Sequence, residues 1–390
     1  MANKVIHKKI GIECENLEGK RFGVGNTMAQ LLDAITKAPD IKKEFRFVLY
    51  FKNEIPKDDF LNDSIFEKKI IKFPLLPPSF NIFYHILIPF YSLKDKIDIF
   101  FFPSYMLPAF FLGKAVVVLT NDVYYEAHFG SLPFRYRLSY RLFCKWAALR
   151  AKKIMTISEF SKKELMDFYG LKEKKIFVNY WGLPEFFKEL EKSVYNLQKI
   201  SKIKEKFGIK DKYILSVGQA FERRRVKEAM LAFERIAEKS PNIQYLVPCI
   251  DKNNPPVLDA LAEQINKKFG REAIIRAGYI DKDEMIYLLN FAEFLIYVSD
   301  KEALGLPPVE ALKCGTPAVV ADNGLTREIF KDSAFFVKDA KNIETFASTL
   351  EYALTDKEKI QKIRSEKEDI LLKFNWEEHA KKLLSIFKEI

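Results

Sequence analysis

Cysteine and histidine are scarce in this 390-residue sequence, with four of each. The cysteines (Cys14, Cys144, Cys249, Cys314) lie far apart, form no Cys-x-x-Cys pair and have no histidine at ligand spacing. That argues against a disulfide framework or a zinc site and favours a reducing, cytoplasmic setting. The first residues contain no apolar core of a secretory signal. Long hydrophobic runs are missing too. Phe73 to Leu93 contains no Asp, Glu, Lys or Arg and by length could span a bilayer. Pro74, Pro77, Pro78 and Pro89 break it, with Asn81 and His85 between. It reads as a loop and then a short apolar helix packed into the first domain. No short repeat is visible, and none of the usual nucleic-acid-binding motifs is present.

What is there suits two globular domains: 48% apolar residues and 30% charged. The net charge of +11 fits nucleic acid, an anionic membrane or phosphorylated ligands equally, or a simple bias towards lysine.

Apolar runs and helical spacings alternate along the chain. Strands are expected at Ile10–Cys14, Phe45–Phe51, Ile97–Phe102, Ala115–Leu119, Ile154–Ile157 and Ile176–Tyr180, with helices at Met28–Ile35 and Tyr136–Leu149. Continuous apolar runs of this length suit parallel strands covered on both faces. Residues 184–212 are charged, lack a strong β run and hold a helix at Tyr195–Phe207, so they read as a linker. Beyond it the alternation restarts. Strands are expected at Tyr213–Val217, Gln244–Pro248, Ala273–Arg276, Phe294–Val298, Ala318–Ala321 and Ala334–Val337. Helices fall at Val226–Glu238, Leu258–Phe269, Lys282–Phe291 and Pro308–Cys314, and the tail from Ile343 reads as helical almost to the end. The expected fold class is α/β, two doubly wound Rossmann-like domains with a cleft between the carboxyl edges of their sheets.

The segment Lys301 to Pro317 concentrates the chemistry. It follows an apolar strand and places Gly305 just ahead of Pro307 at a helix start. Amides at Leu304, Gly305 and Leu306 would then face an anion such as a diphosphate. Glu302 could reach a sugar hydroxyl, and Glu310, about two turns inward, a pair of ribose hydroxyls. Spacing alone fits equally an ordinary helix start with an acid near the positive end of its dipole. A second candidate is Ser216 to Arg225, where a strand ends in Gly218 and three arginines follow. Guanidinium groups bind phosphate oxygens in pairs, and three cations at a helix start oppose its dipole.

The first of these segments resembles the E-x7-E signature of retaining, family-4-type glycosyltransferases (group 1), usually E-[GS]-F-G-L-P-x-x-E-A-x-x-x-G-x-P. Glu302, Gly305, Leu306, Pro307, Glu310, Ala311, Gly315 and Pro317 match, while Ala303-Leu304 replaces the small residue and Phe. The resemblance runs through Ile10-Gly11-Ile12 with the glycine loop Gly23-Val24-Gly25-Asn26, Asp98 to Ser104, Ala151 to Lys162, Lys175 to Gly182, and Phe374-Asn375-Trp376. It implies the GT-B fold, with domains 1–183 and 213–373 and a last helix, 374–390, crossing back to the first. It also implies donor contacts from Gly218, Gln219, Arg223, Arg224, Glu302, Leu304, Gly305, Leu306 and Glu310. Tyr279 and Ile280 would hold the nucleotide base. Acceptor-side residues would be Gly23, Gly25, Asn26 and Ser158.

Two departures stand out. Gln219 takes the place of the family's first phosphate-binding Arg, with Arg224 matching the following Lys and Arg223 or Arg225 available to compensate. Asn121 stands where relatives carry a His, beside a matching Asp122, and an amide exchanges no proton at neutral pH. Asp281-Lys282-Asp283 spells a D-x-D but reads as a helix cap, and no metal or other cofactor is expected. From Phe134 to Lys153 there are seven basic residues, no acidic ones and five aromatics. Arg137, Arg141 and Lys145 share a helix face suited to an anionic membrane, a phosphorylated acceptor or plain solvent, with Leu138, Leu142, Trp146 and Leu149 directed to the core.

The resemblance thus implies hexose transfer from a GDP-, UDP- or dTDP-sugar to a glycan or lipid-linked acceptor, with retention, in cell-surface polysaccharide or lipopolysaccharide assembly. Glu302, Arg224, Asn121 and Asp122 would carry catalysis. The setting would be the cytoplasm or the inner face of its membrane. The rivals are a nucleotide-sugar epimerase of the same fold and a non-catalytic nucleotide-sugar-binding protein.

Overall fold

A computed structural model describes residues 7–21, 23–38, 41–72, 79–130 and 132–390. The chain forms two compact units, one comprising Met1–Gly182 with Phe374–Ile390, the other Leu183–Lys373.

The first unit is built on seven parallel strands: β1 (Lys8–Glu13), β2 (Phe45–Phe51), β3 (Phe66–Ile70), β4 (Ile99–Phe102), β5 (Lys114–Val118), β6 (Lys153–Thr156) and β7 (Ile176–Val178). Their order is β3-β2-β1-β4-β5-β6-β7, so the connection direction reverses between β1 and β4. Successive side chains of a strand point to opposite faces, and here both faces are apolar. Ile10, Ile12, Phe47, Leu49 and Phe51 enter one core, while Val48, Tyr50, Phe100 and Phe102 enter the other. Covered faces of this kind require the uninterrupted apolar runs seen in the sequence. The helix Trp376–Glu389 completes the first core. Phe387, fully buried, meets Phe45 and Phe101 at ring distances of 6.5 and 6.2 Å, and Asn179 Nδ2 donates to the His379 carbonyl at 3.0 Å. Phe387→Ala should therefore cost about 3–5 kcal/mol. Chemical denaturation would show it as a lower midpoint for this unit.

In the second unit the strands are β8 (Lys212–Leu215), β9 (Gln219–Ala220), β10 (Ile243–Leu246), β11 (Ile250–Asp251), β12 (Ile274–Ile275), β13 (Leu295–Tyr297), β14 (Ala318–Ala321) and β15 (Phe335–Val337). Six form a parallel sheet in the order β12-β10-β8-β13-β14-β15, and β9 pairs with β11 in a short ladder. The reversal lies between β8 and β13. In open parallel sheets ligands bind beyond the strand ends at such a reversal.

Several expectations need correcting. Residues 184–212 are part of the second unit, because Ile200, Ile203 and Ile209 share a core with Tyr213 and Leu215. The strand β3 was not expected; its Glu67, Lys68 and Lys69 interrupt the apolar run, as charges often do on an edge strand. Gly23 to Asn26 form the first turn of the helix Gly23–Lys37 and not a loop. The tail is helical almost to its end, as expected, in three helices, Ile343–Thr355, Lys357–Leu371 and Trp376–Glu389.

The proline-rich start of the stretch from Phe73, residues 73–78, lies outside the described residues. Beyond it the chain is helical from Phe80 to Lys94, with a wider turn at Phe83–Leu87 just ahead of Pro89. A widened turn is a common way to accommodate a disrupted helical ladder. Among the described residues no helix is long and apolar enough to cross a membrane. In the helix Phe134–Arg150 only Cys144, Ala147 and Ala148 are buried, whereas Leu138, Leu142, Trp146 and Leu149 are exposed.

Candidate active site

The two strands at the reversal of the second sheet deliver the two motif regions to one place. After β8 the chain turns through Gly218, at φ +95°, and reaches Arg224 in a short turn of helix. After β13 it runs through Ser299 to Glu302. Arg224 Nε donates to Glu302 Oε1 at 2.9 Å, and Arg224 Nη1 donates to the Gln219 carbonyl at 3.1 Å. Glu302 Oε1 also accepts from the Tyr297 hydroxyl and from Ser299 Oγ, each at 3.1 Å. The guanidinium lies 5.1 Å from the centre of the Tyr297 ring. Burial opposes its charge, but Tyr297 and Glu302 outweigh that, leaving the Arg224 pKa raised. Burial first, and then Glu302, push the Tyr297 hydroxyl well above its ordinary range. Arg224 is thus a permanent cation and Tyr297 a permanent donor.

An arginine has five N–H donors. These two bonds use two of them, so three remain for a ligand. Directly ahead, Gly305 caps the helix Leu306–Lys313 at φ +69°, a left-handed conformation that favours glycine. Pro307 and Pro308 occupy its first turn and carry no N–H, so the outward amides narrow to Leu306 and those of Leu304 and Gly305 just before it. The Leu304 side chain is buried. A fixed guanidinium and the free amides of a helix start are the donor types that bind an anion such as a phosphate.

Other predicted residues are placed differently. Arg225 is no spare phosphate ligand: its Nε donates to Asp300 at 2.9 Å and its Nη1 to Glu228 at 3.0 Å. Arg223 stacks on Phe221 at 4.6 Å and makes no ion pair among the described residues. Glu310 is half-buried, its carboxyl group makes no hydrogen bond or ion pair among the described residues, and burial pushes it up to about 7. Tyr279 is 84% exposed, whereas the Ile280 side chain is buried in the core with Tyr287 and Leu288. Ile280 can therefore offer a base only its backbone. Asp281 Oδ1 accepts from the Glu284 amide at 3.1 Å, so it caps the helix Lys282–Phe291.

In the first unit, Asn121 is completely buried and its Nδ2 donates to Glu164 at 2.6 Å, which Tyr125 also contacts at 2.7 Å. Its amide serves the packing of the helices Asn121–Phe129 and Glu159–Tyr169. That corrects the expectation that it faces a ligand. Asp122 lies in the first turn of the same helix, half-buried. Ser158 is fully buried and caps the helix Glu159–Tyr169, accepting from the Ser161 amide at 3.0 Å. Gly25 lies apart from these, beside a cavity of about 580 Å³ lined also by Glu15, Asn16, Glu18 and Asn53. A Cβ on Gly25 would sit 2.2 Å from the Asn16 carbonyl, so only glycine fits. Gly23 and Asn26 are exposed on the same helical turn.

Sequence reading missed Tyr297 and Ser299, which fix Glu302. It also missed a second polar cluster at the reversal of the first sheet. There Ser104 donates to buried Glu13 at 2.8 Å and accepts from Asn16 at 2.9 Å. Burial pushes the Glu13 carboxyl up to about 7, against the bonds from Ser104 and the Glu15 amide. No pattern in the sequence marks these residues, because they meet only across strands.

Residues 198–369 match the model of the glycosyl transferases group 1 family. The serotype-specific mannosyltransferase WbdA of Escherichia coli is 23% identical over 231 residues, 58% of this chain and 27% of that protein. The O-antigen chain mannosyltransferase RfbU of Salmonella typhimurium is 23% identical over 220 residues, 56% of each chain. The chain thus spans between about a quarter and a half of the length of these relatives. Among solved structures, WaaG, a glycosyltransferase involved in lipopolysaccharide biosynthesis, aligns with TM-score 0.63 at 16% identity over 95% of both chains. Anabaena Alr3699/HepE in complex with UDP-glucose aligns with TM-score 0.68 at 16% identity, covering 98% of this chain and 100% of that one. The fold is GT-B. Within the second unit, the chain is similar to the group 1 glycosyltransferases.

Proposed function

We propose that the protein transfers a hexose from a nucleotide-diphosphate sugar to a glycan or lipid-linked acceptor, with retention of configuration, in the assembly of a surface polysaccharide. The observation that carries this reading is the Arg224–Glu302 pair set against the Gly305–Leu306 helix start. Arg224, with Arg223 and the Leu304–Leu306 amides, would neutralise the diphosphate; Glu302 would hold the sugar and Glu310 the ribose. The bond from the anomeric carbon to the phosphate oxygen breaks, and the acceptor oxygen bonds to the same face of that carbon. The acceptor proton passes to the departing phosphate. Fixed cations and dipoles stabilise that oxygen at the moment its charge develops, and no metal is invoked.

Mannose is the first sugar to test, because the relatives WbdA and RfbU are named as mannosyltransferases. Incubation with GDP-mannose, UDP-glucose and dTDP-sugars, with mixed glycan and lipid-linked acceptors, should give nucleotide release with one donor. The product's anomeric configuration, read by NMR, should match that donor. An epimerase would instead change the sugar with no acceptor present, and absence of release with every donor would sink the transferase reading.

A further inference from the structure

Arg225 adopts φ +46° and ψ +31°, a left-handed conformation that costs a residue with a side chain more than it costs glycine. It opens the helix Val226–Ala237, yet its side chain makes no cap bond there. A side chain kept at a position that favours glycine points to a task for that side chain. Its guanidinium, only 12% exposed, reaches the loop after β13: Nε donates to Asp300 Oδ2 at 2.9 Å, and Nη2 bonds the same oxygen. The bond from Nη1 to Glu228 at 3.0 Å is local to the first turn of the helix. Asp300 answers with its backbone as well, its amide donating to the Arg223 carbonyl at 2.9 Å. Residues 223–225 and 300–302 are therefore joined through Arg223 and Asp300, Arg224 and Glu302, and Arg225 and Asp300. On its other side the same loop is held from the end of β14, where Asn323 Nδ2 donates to the Ser299 carbonyl at 3.3 Å.

These links do not serve the same purpose. In the proposed reaction Glu302 holds the sugar and Arg224 the departing diphosphate, so both members of that pair also engage the donor. Arg225 and Asp300 have no such duty, and their fork of two bonds to one carboxylate oxygen can hold the turn while its neighbours bind and release a ligand. The pair also occupies the third arginine, which keeps three adjacent cations from spreading apart. We propose that Arg225 and Asp300 are positioning residues of the donor site: their ion pair fixes the turn that carries Arg223 and Arg224, and so the direction in which Arg224 meets a diphosphate. The consequence for turnover rests on the transferase reading. The effect on the pose of Arg224 does not.

The test uses the full chain and two variants. Arg225→Gly suits the left-handed backbone but removes the pair, and Asp300→Asn removes its charge while leaving the backbone bond to Arg223. Each should lower kcat in the nucleotide-release assay about tenfold, with the KM for the donor changed less than about twofold and melting curves little altered. Arg225→Lys should recover part of the loss. General attraction of an anionic donor would act otherwise, because removing the negative charge of Asp300 would then raise activity. In the Arg224→Met background Arg225→Gly should cost nothing more, since the pair acts through Arg224. A readout without turnover is solvent exchange of the Arg224 Nε–H in the chain carrying isotope-labelled arginine, its signal identified by its loss in Arg224→Met. Exchange should speed up at least about tenfold in Arg225→Gly and in Asp300→Asn as the bond to Glu302 loosens. Unchanged exchange, undiminished kcat in both variants, higher activity in Asp300→Asn, or a further loss in the Arg224→Met background would overturn the proposal. Faster exchange in the variants of a chain that releases nucleotide from no donor would uphold the positioning role and sink the transferase reading alone.

Discussion

Arg224→Met should lower turnover by about 10²–10³-fold, close to 3–4 kcal/mol of transition-state stabilisation, in the nucleotide-release assay. Two strands that flank the sheet reversal hold this guanidinium in place, through the Gln219 carbonyl and Glu302. Its remaining donors need no reorganisation when the diphosphate leaves. Lysine at the same position restores the charge but not the planar fork, so Arg224→Lys should recover only part of the loss. Glu302 keeps Tyr297 and Ser299 as donors in either variant, which limits collateral destabilisation. Because Arg224 and Glu302 act as one unit, Arg224→Met/Glu302→Gln should be little worse than either single change. Wild-type turnover in Arg224→Met would refute the assigned role. Additive losses would refute the coupling.

How much of this was legible in the sequence depended on whether a feature is local. Buried parallel strands are continuous apolar runs, so β2 and β14 could be read to the residue. The edge strand β3 could not, because its charges break the pattern. The helix start at Gly305 was visible as a motif, but its anchors were not: Arg224 lies 78 positions before Glu302, and nothing in the spacing of either segment links them. The orientation of the helix Phe134–Arg150 was misread for a different reason. Small residues, Cys144, Ala147 and Ala148, face the core there and permit close approach, whereas pattern reading gives weight to the large apolar residues, which face outward. Asn121 shows a third limit. A substitution at an expected catalytic position looks like altered chemistry until its partner Glu164, on another helix, is seen.

Glu310→Gln should stabilise the protein above neutral pH and leave it almost unchanged near pH 4. Burial raises the Glu310 pKa from 4.5 to about 7, so the folded chain keeps a proton that the unfolded chain gives up. The stabilisation linked to that proton is complete below about pH 4.5 and is lost as the pH rises through about 7. Above that, the native state carries a desolvated charge with no hydrogen bond or ion pair among the described residues. Glutamine cannot ionise and escapes this cost, which for a shift of this size is on the order of 3 kcal/mol. Melting temperature at pH 8 should therefore rise by several degrees. The same change should weaken the donor, raising its KM about tenfold with little effect on kcat, because two ribose hydroxyls donating to a carboxylate make stronger bonds than to an amide. Donor binding would supply the partners that the charge lacks, so wild-type affinity should improve as the pH rises through 7 while the variant's stays flat. Equal stabilisation at pH 4 and pH 8 would show that packing, not charge, governs this position. An unchanged KM would remove Glu310 from the donor site.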